Sequence, residues 1–427
     1  MMRSSLLRSL DRLALVTTLL CPIFLVHGRG AAEAMIDITA IAFLLRSALT
    51  RDWRWTRQAW VRIAALWWLW LVVCSLPVAG LGQGGRGSFV QALATLRFLV
   101  FPAALQGWTL RQARHRRLMG WLLAAGFAYI AGQLLLQALL GVNLFGDTRF
   151  HDGTLTGPYD KPRAAAPLSR LLFPTLLPAA AWLMRRGRAG GAGAMALLLG
   201  GLAVMVLAGQ RMPLLLSGLG LVVAGLMLRR LRAPLLACLA AVPVLVAASA
   251  IASPRSFGHL VLLFERQMRH FGSSPYGLIY ARGLAIVQAE PLTGRGLDGF
   301  RTGCADPRYF HGVPPLSQAS SDGGGAGFCV QHAHNHYLQA ATDAGLPGLV
   351  LFSLMVLAWL SALARGREAD PVRQAWRTGL FIAVLLQEWP IASSSAFTNM
   401  PLGGWFFLLL GLGLSAAPSY MQATQKG

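Results

Sequence analysis

Residues 185–232, RRGRAGGAGAMALLLGGLAVMVLAGQRMPLLLSGLGLVVAGLMLRRLR, carry the pattern that decides the fold. Two apolar runs, 191–209 and 212–228, are broken only by Gly209-Gln210-Arg211-Met212-Pro213. Arg185/Arg186/Arg188 precede them and Arg229/Arg230/Arg232 follow. A bilayer core takes about 20 apolar residues of helix, and arginine gathers in short cytoplasmic loops. Two clusters on one side and a tight turn on the other predict a membrane hairpin with Arg211 at its outer tip.

The same pattern runs through the whole chain. The N-terminal MMRSSLLRSLDR is basic and precedes an apolar run at 13–26, read as a retained first helix rather than a cleaved signal. Further runs lie near 33–49, 60–80, 89–107, 117–142, 167–184, 191–209, 212–228, 233–252, 337–364, 374–392 and 398–416, so about twelve transmembrane helices are expected. With the N-terminus cytoplasmic, six arginine clusters fall on the cytoplasmic side. They centre on Arg3/Arg8/Arg12, Arg46–Arg62, Arg111–Arg117, Arg185–Arg188, Arg229–Arg232 and Arg365–Arg377. The predicted fold class is therefore an all-α integral membrane protein. It divides into helices 1–9 over residues 1–253, a long helical periplasmic loop over 254–333, and helices 10–12 with a cytoplasmic tail over 334–427.

Composition agrees. Of 427 residues, 55% are hydrophobic and 13% charged, where a soluble protein carries roughly 25%. The net charge of +22 is scattered through short loops, whereas nucleic-acid binding asks for one continuous basic face. No Walker motif, dinucleotide fingerprint or HExxH is present, which leaves ATP, nicotinamide and zinc-protease chemistry unsupported. Cys21, Cys74 and Cys238 lie in apolar runs and read as small hydrophobes. Cys304 and Cys329 share the long loop and would form a disulfide in an oxidising compartment. No Cys/His ligand spacing suggests a metal.

Three outward segments stand out by carrying basic residues on the disfavoured side. They are 143–170 with Arg149, His151, Lys161 and Arg163, the Gln210-Arg211 turn, and the loop 254–331. Within that loop, 275–290 (PYGLIYARGLAIVQAE) reads as an amphipathic helix ended by the turn-rich 291–299, and 315–327 as a mobile Ser/Gly stretch. Next comes HNHYLQAATDAGLPG at 334–348, where polar loop meets apolar helix. On a helix turning about 100° per residue, His334, Leu338, Ala341, Gly345 and Gly348 share a face. That would place an imidazole at the wet end of a tightly packed stripe. The alternative is a polar helix start followed by a packing groove.

His334-Asn335, nine residues, then Gly345-x-x-Gly348 resembles the signature of the bacterial O-antigen ligases and the related Wzy-type polymerases. The resemblance implies glycosyl transfer at the periplasmic face of the inner membrane. The donor would be an undecaprenyl-diphosphate-linked glycan and the acceptor the lipid A–core oligosaccharide, with no cofactor or metal. It implies that His334 and two outward arginines act: Arg211, and Arg282 in the loop helix, with Arg269, Arg295 and Arg301 as rivals. Many relatives carry that second arginine where Tyr276 stands, and Glu where Asp343 stands. The chemistry agrees, because guanidinium forks suit phosphate and a histidine accepts a hydroxyl proton.

Other candidates come from the residues themselves. Arg149, Lys161 and Arg163 would hold phosphate or acceptor, or belong to an ordinary surface loop. Arg97, mid-helix, marks either a functional site or a structural pair with Asp37. Asn335 joins the binding set through the motif. His336 and Asp343, seven residues apart, would form a hydrogen-bonded pair on one helix face, and Glu388 is a further buried carboxylate. The rival readings are a Wzy-type polymerase, with a second lipid-linked glycan as acceptor, and a transporter of lipid-linked sugars.

Overall fold

The computed structural model describes residues 2–312, 325–394 and 397–417. Among these the protein is all-helical. Helices α1 (Met2–His27) and α2 (Arg29–Thr50) form a hairpin, followed by α3 (Ala59–Cys74). Then come α4 (Gly85–Ala94), α5 (Leu96–Ala104) and α6 (Ala113–Leu140). A polar loop leads to α7 (Ala165–Leu183), α8 (Gly187–Leu207), α9 (Arg211–Met227) and α10 (Arg232–Ala252). The long loop holds α11 (Pro254–Phe257), α12 (Leu263–Arg269), α13 (Pro275–Ala289) and α14 (Gly299–Gly303). The chain ends with α15 (His336–Ala364), α16 (Pro371–Gln387) and α17 (Leu402–Ser415).

Each expected apolar run is a helix, with shifted ends. The run expected at 89–107 starts at Gly85, bends between α4 and α5, and closes in a π-turn at Leu105–Thr109. The run at 60–80 stops as a helix at Cys74. Among the described residues, six stretches are long and apolar enough to cross a bilayer: Arg3–His27, Gly85–Thr109, Ala113–Leu140, Ala165–Leu207, Arg229–Ala252 and His336–Ala364. The fourth is two helices, because the chain turns at Gly187 with φ +75°. Helices α3, α9 and α17 are apolar but shorter. Helix α2 carries Arg29, Glu33, Asp37 and Arg46.

The helices bury one side and leave large apolar side chains on the other, such as Trp121, Leu139, Leu226 and Ile251. A lipid solvent asks for this, since tails are no more hostile to leucine than a core is. Packing instead relies on close approach. Gly379 of α16 sits where a Cβ would lie 2.5 Å from the Phe173 carbonyl oxygen of α7, and Gly220 of α9 meets the Phe173 ring. Helix α7 packs along α16, and α15 along α3.

The expected loop helix is present as α13, with Pro275 at its first turn and Ser274 accepting from the Gly277 amide as cap. Cys304 and Cys329 are joined as a disulfide, with Cα atoms 5.5 Å apart. Cys21, Cys74 and Cys238 are buried thiols. Most of the Ser/Gly stretch expected to be mobile, 315–327, lies outside the described residues.

Candidate functional site

His334 stands before helix α15, not on it. Asn335 is the cap, its side-chain oxygen accepting from the Leu338 amide at 3.0 Å. His334 itself is left-handed, with φ +54°, a region only a few per cent of non-glycine residues enter. The expected stripe from His334 to Gly348 is therefore corrected twice. The histidine precedes the helix, and the helix breaks at Ala344 and Gly345, where Gly345 takes φ +67°, ψ −168°. The break is imposed by the loop after α13. The Leu346 amide donates to the Pro291 carbonyl at 2.7 Å, and the Trp70 indole to the Ala344 carbonyl at 2.9 Å.

The His334 ring meets the Tyr276 ring edge-on at 5.5 Å and the His332 ring at 4.3 Å. Burial pushes the His332 imidazole down to about 4, helped by its two histidine neighbours. Burial also lowers His334, against a hydrogen bond with the Ser394 backbone. Both rings are thus neutral at pH 7. A neutral imidazole keeps a lone pair that can take a proton.

Arg211 opens α9. Its Nε donates to the His259 carbonyl at 2.7 Å, its Nη1 to Gln267, and Phe264 lies beneath it. The Tyr276 phenol is within electrostatic reach of its guanidinium. Tyr276 thus touches His334 and is near enough to Arg211 for its charge to be felt there.

Next to this cluster is a cavity of about 1000 Å³. Gln210 and His332 line it, each one contact removed from Arg211 and His334. Its cations are Arg29, Arg97, Arg163 and Arg301. These come from four segments far apart in the chain, so no local motif marks the wall. Arg97 is an ion-paired residue here, bound by Glu33 and lying 3.3 Å from Asp37. The structural pair with Asp37 is therefore present, with Glu33 added.

Other expected residues lie elsewhere. Arg149 donates to the Gly153 carbonyl at 3.2 Å and the Ser253 hydroxyl at 3.3 Å, clamping its loop to the chain after α10. Lys161 is exposed and does not line the cavity. The loop is held down by Gln137 of α6, which binds Asp147, Thr148 and Thr156. His336 does not pair with Asp343. Its Nδ1 lies 3.1 Å from both carboxylate oxygens of Glu388, while Asp343 accepts from the Gly299 amide at 2.8 Å. The return of the 291–299 loop against α15 supplies Asp343 with a nearer donor than its own helix does.

Arg282 also has a different place from the one expected. It is 2% exposed. Its guanidinium donates to the carbonyls of Cys304 at 2.9 Å and Gly325 at 3.1 Å, and stacks over Phe310. Like Arg211 and His334 it is absent from the cavity wall, and its bonds hold the disulfide-closed loop onto α13. Of its rivals, Arg295 is buried against the Tyr309 hydroxyl and Arg269 pairs with Glu265, while Arg301 lines the cavity. Removing the Arg282 side chain would strand the buried Cys304 carbonyl and the half-buried Gly325 carbonyl. Arg282→Ala is expected to cost about 2 kcal/mol, read as a lower unfolding midpoint in detergent; an unchanged midpoint sinks the assignment.

These features define a helical, multi-pass membrane protein with a cavity of mixed charge, lined by four arginines and by Glu33, Asp160 and Asp298, beside a neutral histidine. Residues 194–353 match the model of the Wzy_C family, described as O-antigen ligase. This supports the O-antigen ligase family and a function of the ligase or polymerase type. The matched segment runs from α8 through the broken helix α15, so it holds Arg211, Tyr276, His334 and Gly345. The comparison with curated proteins finds no match.

Proposed function

We propose that this protein is an O-antigen ligase. It moves a glycan from undecaprenyl diphosphate to lipid A–core oligosaccharide at the periplasmic face of a bacterial inner membrane. Twelve helices cross the bilayer, the loop of α11–α14 is periplasmic, and no metal takes part. The observation that carries the reading is the partly buried His334 ring, packed on Tyr276 and on His332, which lines the cavity together with Gln210, the neighbour of Arg211.

An acceptor hydroxyl attacks the anomeric carbon of the donor sugar. As that C–O bond forms, the bond from the same carbon to the diphosphate oxygen breaks. The hydroxyl proton passes to the neutral His334 ring. The departing diphosphate gains negative charge, which the forked donors of Arg211 stabilise. Arg301 and Arg163 hold the remaining phosphate or glycan charge from the cavity wall, taking the part first given to Arg282. Asn335 serves as the helix cap that sets the direction of the segment, and Arg97, neutralised by Glu33 and Asp37, shapes the wall.

The test is a reconstituted reaction with purified protein, lipid-linked glycan and two alternative acceptors. Glycan on lipid A–core supports the ligase. Lengthening on the polyprenyl carrier with lipid A–core untouched makes the protein a Wzy-type polymerase. No covalent product, with sugar moved across the vesicle, makes it a transporter. In the same assay Arg211→Lys keeps the charge but loses the fork, and kcat/KM is expected to fall about 100-fold. A lysine variant as fast as wild type rejects the diphosphate-gripping role.

A further inference from the structure

Four consecutive residues, His334 to Tyr337, are each bonded to one short segment after α16. The Ser394 amide donates to the His334 carbonyl at 2.9 Å. The Asn335 side-chain nitrogen donates to the Pro390 carbonyl at 2.7 Å. The His336 Nδ1 lies 3.1 Å from both Glu388 carboxylate oxygens. The Tyr337 hydroxyl donates to the Glu388 carbonyl at 2.7 Å. Glu388 is 2% exposed and His336 8%. The clamp is itself anchored, because Arg170 of α7 donates to Gln387 at 2.6 Å and α7 meets α16 closely at Gly379.

A left-handed histidine persists only where its surroundings over-determine it. We infer that residues 388–394, with Glu388 at their centre, are the positioning element that holds His334 in its reactive conformation. His336 is the relay: its ring packs edge-on against Phe397 and Phe352, and it acts through the chain it belongs to. Glu388 is a positioning residue and not a catalytic one. Its role in transfer rests on the glycosyltransferase reading above.

The test uses the full-length protein in the transfer assay and, separately, amide hydrogen exchange read by mass spectrometry. Glu388→Ala is expected to lower kcat about 100-fold, the scale of a misplaced reacting group, with KM for the lipid-linked donor changed by less than about 2-fold. Glu388→Gln keeps an acceptor at the same reach and is expected to recover most of that loss. Tyr337→Phe removes one hydrogen bond and is expected to lower kcat about 5-fold with the fold intact. Exchange over 333–338 should quicken in Glu388→Ala. A wild-type kcat in Glu388→Ala, a loss confined to KM, or a glutamine variant no better than alanine overturns the inference. If the wild-type protein transfers nothing, the functional reading fails on its own account. Exchange then still decides the clamp, and an unchanged 333–338 segment overturns it.

Discussion

His334→Ala is expected to lower the transfer rate about a thousand-fold, the middle of the range for removing a general base. Binding of the lipid-linked donor should be nearly unchanged, because Arg211 and the cavity arginines remain. The distinction is measured by single-turnover rates beside a donor-binding titration. If binding and rate fall together, His334 is part of the binding site and not the base. The wild-type rate should also fall on the acid side, and the limb should lie below the ordinary imidazole value of about 6.5, because burial lowers His334. A limb above 6.5 would contradict the buried, neutral ring.

The same burial has a consequence for stability. In the unfolded chain, His332 and His334 take up protons near pH 6.5, while in the folded protein His332 does so only near 4 and His334 below its usual value. Between these limits the unfolded state binds more protons, so stability rises with pH there. Their contribution is full above 6.5 and is lost as pH falls toward 4. Unfolding midpoints in detergent should drop through that window, and His332→Gln should flatten the drop.

Gly345→Ala should be the most damaging small substitution in α15, at about 3 kcal/mol or more. Two effects add. The backbone at φ +67°, ψ −168° is a region that essentially only glycine enters, costing about 1–3 kcal/mol for other residues. A Cβ built there would also lie 2.4 Å from the carbonyl carbon and oxygen of Leu292, and backbone is a neighbour that cannot rotate away. Gly132→Ala makes the contrast. It lies within α6 with nothing within 4 Å of a new Cβ, so alanine is expected to be neutral or stabilising by about 0.5–1 kcal/mol. Unfolding midpoints of the two variants, measured side by side, check this. Equal midpoints would mean that the loop at 291–294 does not press on the helix as described.

The backbone at Gly345 gives a physical reason for glycine at this place in this chain. The residue is there for a backbone break that lets the loop after α13 dock, rather than for a smooth packing stripe. A Cβ at Gly348 would crowd Ala344 of the same helix at 2.3 Å, so this glycine too makes room for the break, while Trp70 of α3 lies at an ordinary 3.6 Å.

The sequence by itself determined what repeats locally. Runs of apolar residues marked where the helices lie, because helix formation depends on neighbours a few positions away. The amphipathic pattern of 275–290 and the turn residues at 291–299 marked the loop helix. An arginine among apolar residues demanded an acid, and Asp37 stood on the preceding hairpin. The tertiary structure alone decided the rest. It gave His336 to Glu388, 52 positions away, instead of to Asp343 on its own helix. It buried Arg282 under the disulfide loop and gathered Arg29, Arg97, Arg163 and Arg301 around one cavity. It also bent His334 and Gly345 out of the helix that their spacing predicts. Periodicity reports which face a side chain takes along one element. Which partner waits there, and whether the element stays regular, depends on contacts that form only when distant segments pack.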